Sequence, residues 1–171
     1  MMILQRFITK LGLFFILTLL IPGNYSCHND NHDVVPYIPV NLILDIQTDL
    51  GHLGVGECAT IVPDEQGFGT ISFTHPSYPE IRLGQQVYGN GLILYRMAQY
   101  EFAVYDKTCT YRASTDYCAL EMDETGLIPR CPCCGSEFAI PIDGAIASGP
   151  AVLPLKAYSA YINSYQLYIS N

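Results

Sequence analysis

Residues Val40 to Ile46 alternate polar and apolar character, with Asn41, Ile43 and Asp45 set against Leu42, Leu44 and Ile46. A period of two places the leucines and Ile46 on one face, the signature of a strand buried on one side. Similar short runs follow. Gly67 to Phe73 predicts a strand weakened by Gly67 and Gly69. Leu92 to Met97 and Phe102 to Tyr105 predict a pair joined by a polar turn around Gln99. Tyr158 to Ile162 and Tyr165 to Ile169 predict a last hairpin around Asn163-Ser164, residue types that tolerate tight turns. These runs are rich in Tyr, Val and Ile and are separated by Gly, Pro, Asn or Asp. No helical periodicity follows the first 26 residues, so the expected class is all-β. There is no internal repeat.

The first residues follow other rules. Arg6 and Lys10 precede an apolar run from Leu11 to Ile21, too short to span a bilayer. Residues 1–26 therefore read as a secretory signal peptide. Pro22 and Gly23 break the run, and Ser26-Cys27 stands where a bacterial lipoprotein is cleaved and lipidated on cysteine. Ordinary cleavage near Ser26 is the alternative. Residues 27–39 read as a lipidated tether, in which His28 and His32 are solvated rather than metal-bound. Residues 40–171 form one domain, exported and anchored by lipid to a membrane, facing the periplasm or the cell surface.

From Cys27 onward the chain keeps six of its eight basic residues against sixteen acidic ones, a net charge near −10. That balance excludes nucleic acid as a partner, since such binding needs cations against phosphate. Tyr95, Tyr100, Tyr105, Tyr158, Tyr161, Tyr165 and Tyr168 read as half-buried sheet residues rather than a carbohydrate platform. Asp64-Glu65 and Asp123-Glu124 read as solvated turn acids. Ser136 has no histidine near it in sequence to act as a base, and no small-molecule substrate site is evident. Nothing marks a catalytic residue.

The chemistry lies in cysteine. Leaving Cys27 aside, six remain, and Cys109, Cys118, Cys131, Cys133 and Cys134 fall within 26 residues. Outside the cytoplasm such a cluster is oxidised or metal-bound. Cys58 stands apart and reads as a small buried residue. Residues 131–138 read Cys-Pro-Cys-Cys-Gly-Ser-Glu-Phe, a knuckle locked by Pro132 and released by Gly135. Cys109-Thr110-Tyr111 precedes it by 22 residues, and Gly149-Pro150-Ala151 follows.

In that order the three segments resemble the Rieske iron–sulfur family, and the resemblance extends over roughly residues 40–170. It implies small stacked antiparallel sheets with an inserted, rubredoxin-like cluster-binding subdomain. It places Cys109 and Cys131 at the family's cysteine ligands, and Tyr111 and Cys134 where the family has histidines. It matches Cys133 to a cysteine that pairs in a disulfide, with Cys118 the nearest partner. It gives Ser136 a hydrogen bond to a cluster sulfur and Gly135 the turn, and puts Pro150 in the covering loop. No histidine follows His75, so only His75 can stand in for the missing ligands.

Three readings stay open. The first is a 2Fe–2S cluster on Cys109, Cys131, Cys134 and a fourth thiolate from Cys118 or Cys133, passing single electrons to a redox partner protein. The second is one tetrahedral zinc or iron, because Cys131-Pro-Cys-Cys134-Gly is also similar to the knuckle of rubredoxins and zinc ribbons. Cys109 and Cys118 would then supply the opposite ligands. The third is a structural or binding lipoprotein without metal, its cysteines paired as disulfides. A bridge closing about 22 residues contributes roughly 3 kcal/mol.

Overall fold

A computed structural model describes residues 35–171; the expected signal peptide, Cys27, His28 and His32 lie outside the described residues. The architecture is all-β and antiparallel. Ten strands follow in order: β1 (Asn41–Asp45), β2 (Cys58–Pro63), β3 (Phe68–Phe73), β4 (Ile81–Gln86), β5 (Leu92–Ala98), β6 (Glu101–Asp106), β7 (Glu137–Ala139), β8 (Ala145–Ser148), β9 (Ala157–Asn163) and β10 (Gln166–Ser170). A single-turn helix α1 (Ala113–Asp116) and a 3-10 turn (Ile140–Ile142) complete the set. Eight strands form one sheet in the order β1-β10-β9-β6-β5-β2-β3-β4, and β7 pairs with β8 in a small second sheet.

The predicted strands recur with shifted ends. In the last hairpin Asn163 pairs with Gln166, so the two-residue loop is Ser164-Tyr165, one residue beyond the expected turn. Ser164 takes the left-handed backbone that such a loop demands (φ 52°). The strands absent from the sequence reading have physical reasons for their silence. β2 ends in Pro63, and β4 (Ile-Arg-Leu-Gly-Gln-Gln) is a polar edge strand with one buried side chain. The segment expected to be a flexible tether up to residue 39 is fixed earlier. Val35 is buried, Asn171 Nδ2 donates to the Ile38 carbonyl (3.0 Å), and Val40 N donates to Asn171 Oδ1 (2.6 Å).

Leu42 and Leu44 of β1, Leu83 of β4, and Leu92, Leu94, Phe102 and Val104 of β5 and β6 share one core. Because the two edge strands meet in that core, the sheet curls nearly into a barrel. The gap between the edges is closed by one side chain. Gln85 of β4 accepts from Ile43 N (2.9 Å) and donates to the Ile43 carbonyl (2.6 Å), imitating a missing strand pair. The alternate residues of β5 and β6, Ile93, Tyr95, Ala103 and Tyr105, point the other way. They pack with Cys58, Leu120, Phe138, Ile140 and Leu155 in a second core. Burial on both faces is why Leu92-Ile93-Leu94 is continuously apolar. The second core is the base on which everything between β6 and β9 stands, including all five clustered cysteines.

Replacing Gln85 by Ala removes both bonds of the seam and leaves the shared core. The expected cost is about 1 kcal/mol, because each net hydrogen bond contributes roughly that much and these two are partly wet. Urea unfolding measures it; an unchanged midpoint would mean that the core alone holds the edges together.

Candidate metal centre

The chain leaves β6 through Asp106-Lys-Thr-Cys109, and buried polar contacts aim it. Asp106 is buried and accepts Thr108 N (2.8 Å) and the Tyr158 hydroxyl (2.6 Å). Thr110 Oγ1 donates to the Leu153 carbonyl (2.7 Å), which ties the first cysteine loop to the loop after β8. Cys109 N donates to the Cys118 carbonyl (2.9 Å), closing that loop around α1. Neither Asp106 nor Thr110 was identifiable as a site residue from sequence; the only signal was their nearness to Cys109.

The second loop turns tightly. Gly135 N donates to the Cys131 carbonyl and Cys131 N to the Ser136 carbonyl, both at 2.8 Å. Gly135 has φ 77°, a left-handed conformation that favours a residue without Cβ. Gly149 is required by space as well. A Cβ there would stand 2.5 Å from Ser136 Cα, so only glycine lets the Gly149-Pro150-Ala151 loop lie on the knuckle. Ser136 is the junction of the two. It is fully buried, its Oγ accepts Ala151 N (3.0 Å), and Cys134 Sγ donates to the same oxygen (3.1 Å). Pro150 itself is exposed and serves the loop, not the sulfurs.

The structure divides the cysteines in two. Cys118 and Cys133 form a disulfide. Cys109, Cys131 and Cys134 are free thiols whose sulfurs all lie within 4.8 Å of one another. Cys109 Sγ and Cys134 Sγ stand 3.7 Å apart, and Tyr111 N donates to Cys109 Sγ (3.4 Å). This corrects the expected ligand sets: neither Cys118 nor Cys133 is available as a fourth thiolate, and Cys118 cannot oppose the knuckle in a four-cysteine ion site. Tyr111 is half-buried and packs against the core that contains Cys109 and Cys131.

Neither His52 nor His75, the described histidines, joins these sulfurs. Among the described residues, the groups able to hold a metal consist of cysteines alone. His75 lies against Tyr78 (centroids 5.1 Å), and His52 stacks on the same ring (4.7 Å). The family's two-cysteine, two-histidine donor set is therefore not met by these residues. Three thiolates converging on one point do fit a single soft ion. With metal–sulfur bonds of about 2.3 Å, tetrahedral sulfurs stand about 3.8 Å apart, close to the spacing between Cys109 and Cys134.

The thiols differ in how they ionise. Burial pushes Cys109 well above the ordinary thiol range, reinforced by its thiol neighbours Cys131 and Cys134. Burial also raises Cys134, but contacts with the Ser136 side chain (whose hydroxyl turns to donate once the thiolate forms), the Ser136 backbone, Cys131 and Cys109 outweigh it, so its pKa falls below the ordinary value. Cys58 is pushed up to about 12 by burial, aided by the Asp123 charge, and it stays a packed thiol in the second core. Asp123 is not the solvated acid expected. It is half-buried and accepts Thr125 Oγ1 (2.6 Å) and Ile128 N (3.0 Å), capping the loop between the cysteine segments.

No family model matches the sequence, and no curated protein matches it. Among solved structures, the cyanobacterial plasma membrane Rieske protein PetC3 from Synechocystis PCC 6803 is similar. The identity is 18% and the TM-score 0.41, over 65% of this chain and 98% of that one.

Replacing Ser136 by Ala strips Cys134 of the hydroxyl that favours its thiolate, so its pKa is expected to rise. In metal-free protein, the midpoint of a pH–alkylation profile at Cys134 should move upward. Stability should fall by about 1–2 kcal/mol, because Ala151 N loses its acceptor. A midpoint that stays or falls would show that Ser136 does not set the ionisation of Cys134.

Proposed function

We propose that this chain is an exported, lipid-anchored metal protein on a Rieske-like scaffold, in which Cys109, Cys131 and Cys134 together hold one soft metal ion. The convergence of three free thiols beside a closed disulfide carries the reading. Thiolates select soft ions such as zinc, iron and copper(I), and three protein ligands leave a fourth position open. Tyr111 is the side chain at the histidine position that packs beside it. Iron in this set supplies one-electron chemistry, which makes the protein a carrier between redox partner proteins at the membrane; zinc would pin the two loops.

The protein's own groups favour exchange from one side. Cys109 and Cys131 are buried, whereas Cys134 is half-exposed at the rim. A bound ion is therefore shielded from water on its inner side and within reach of a docking surface on its outer side. Ser136 orients Cys134, and Ala151 fixes Ser136. The acidic character of the exported chain favours a basic partner.

A second reading has its own support. The Cys118–Cys133 bridge matches the disulfide that the family resemblance sets beside a 2Fe–2S cluster, and Ser136 stands next to the converging sulfurs. In that reading Cys109, Cys131, Cys134 and Tyr111 are the donors.

Protein purified without oxygen from its lipidated form should contain one metal ion per chain, no acid-labile sulfide and three thiols protected from alkylation. Two irons with two sulfides would support the cluster reading, whereas no metal, with Cys58 and one of the three converging cysteines left as free thiols, would leave a disulfide-stabilised structural protein. Cys134→Ser should weaken metal binding by more than the roughly 10–100-fold that loss of a group hydrogen-bonded to a ligand costs. Titration against a competing chelator measures that loss.

A further inference from the structure

Cys131 belongs to two groups at once. Its sulfur lies within 4.8 Å of the free thiols Cys109 and Cys134, and also within 4.8 Å of both sulfurs of the Cys118–Cys133 bridge. A disulfide next to a thiol is not an inert staple, because exchange needs only a thiolate sulfur that can reach a disulfide sulfur. Burial gives the arrangement a direction. Cys118 and Cys131 are buried and Cys133 is exposed, so the bridge has one residue open to solvent. Beyond it, through Cys131, lie the shielded Cys109 and the half-buried Cys134.

We propose that the five cysteines form a thiol–disulfide relay in which Cys131 passes disulfide bonds between the Cys118–Cys133 bridge and the inner thiols, with an external protein dithiol as its substrate. The first step is internal. The Cys131 sulfur attacks Cys118 Sγ; the Cys118–Cys133 bond breaks, the Cys118–Cys131 bond forms, and Cys133 leaves as a thiolate that takes up the proton Cys131 lost. Attack on Cys118 is preferred to attack on Cys133, since Cys131 and Cys133 are separated by Pro132 alone and a ring that small is strained. In the second step Cys109 or Cys134 attacks the Cys131 sulfur and Cys118 is released. Each step conserves one disulfide and three thiols, so neither needs an oxidant. Electrons enter at Cys133: a thiolate of the incoming dithiol attacks Cys133 Sγ and displaces Cys118, and the dithiol's second thiolate then attacks the sulfur joined to Cys133, closing the dithiol's own disulfide and releasing Cys133. The dithiol becomes a disulfide and this site gains two electrons and two protons.

The relay lets a reductant that touches only Cys133 reduce sulfurs buried behind it without opening the subdomain. It stands independently of the metal reading, although a metal site in an oxidising compartment would need such a route to keep its thiols reduced.

The test uses the mature wild-type chain, stripped of metal with a chelator and held without oxygen at neutral pH, then quenched with acid at intervals. Trypsin cuts after Lys107, Arg112, Arg130 and Lys156, so Cys109, Cys118 and the Cys131–Cys134 segment fall in three separate peptides. The expected result is that linkage of the Cys109 peptide to the knuckle peptide grows with time to a plateau while the total of free thiols stays constant. In Cys131→Ala that linkage should be lost, with the Cys118 linkage retained and circular dichroism unchanged. Adding a reduced thioredoxin-like dithiol protein should reduce wild-type Cys109 linkages and bridge together. Cys118 remaining the sole linked partner in wild type, or Cys109 linkage persisting in Cys131→Ala, would overturn the relay; if the variant does not fold, the wild-type time course alone decides. Added zinc should halt exchange. Exchange that continues unchanged with zinc present would count against the metal reading and leave the relay intact.

Discussion

The bond between Cys118 and Cys133 ties the loop that leaves β6 to the loop that enters β7, and the chemistry of the site follows from it. Five cysteines crowded together have many possible pairings; with this one made, three sulfurs remain and they converge. The bridge also limits the donor set. While it is closed it takes two thiols out of the group, so among the described residues three free thiols converge and a fourth does not. The two loops it joins are further clasped by Ser136 under the Ala151 amide and by Thr110 under the Leu153 carbonyl.

Those clasps work because the ground beneath them is rigid. β5 and β6 are buried on both faces, one contributing to the near-closed sheet and the other to the cysteine subdomain. A sheet buried in this way cannot slip register by one residue without turning both cores inside out. The cysteine loops therefore stand on two strands whose side chains are packed on both faces. The Gln85 seam contributes to the same end by holding the two sheet edges together.

Much of this was legible in the sequence, for reasons that can be stated. Alternation marked β1 because one of its faces is wet, and the apolar run at Leu92 marked β5 because neither is. The cysteine spacing located the site, and the order of the three motif segments gave the inserted subdomain. Spacing could not supply the choice among thiols; the family resemblance alone named Cys118 as the nearest partner of Cys133, and that bridge is present. Cys118 and Cys133 differ from Cys109 and Cys134 only in where the folded loops place them, and spacing alone leaves all pairings open. β2 and β4 were missed because Pro63 and the polar run of β4 carry little pattern. Asp123 was read as a solvated acid because a capping carboxylate and a free one look alike until the amide of Ile128 is placed beside it.

The account turns on three thiolates holding a single ion. X-ray absorption at the metal edge, on anaerobically isolated protein, reads that directly. The expected spectrum shows three sulfur neighbours at about 2.3 Å and no second metal in the next shell. A metal–metal distance in that shell, or imidazole scattering from a histidine such as His75, would contradict the account.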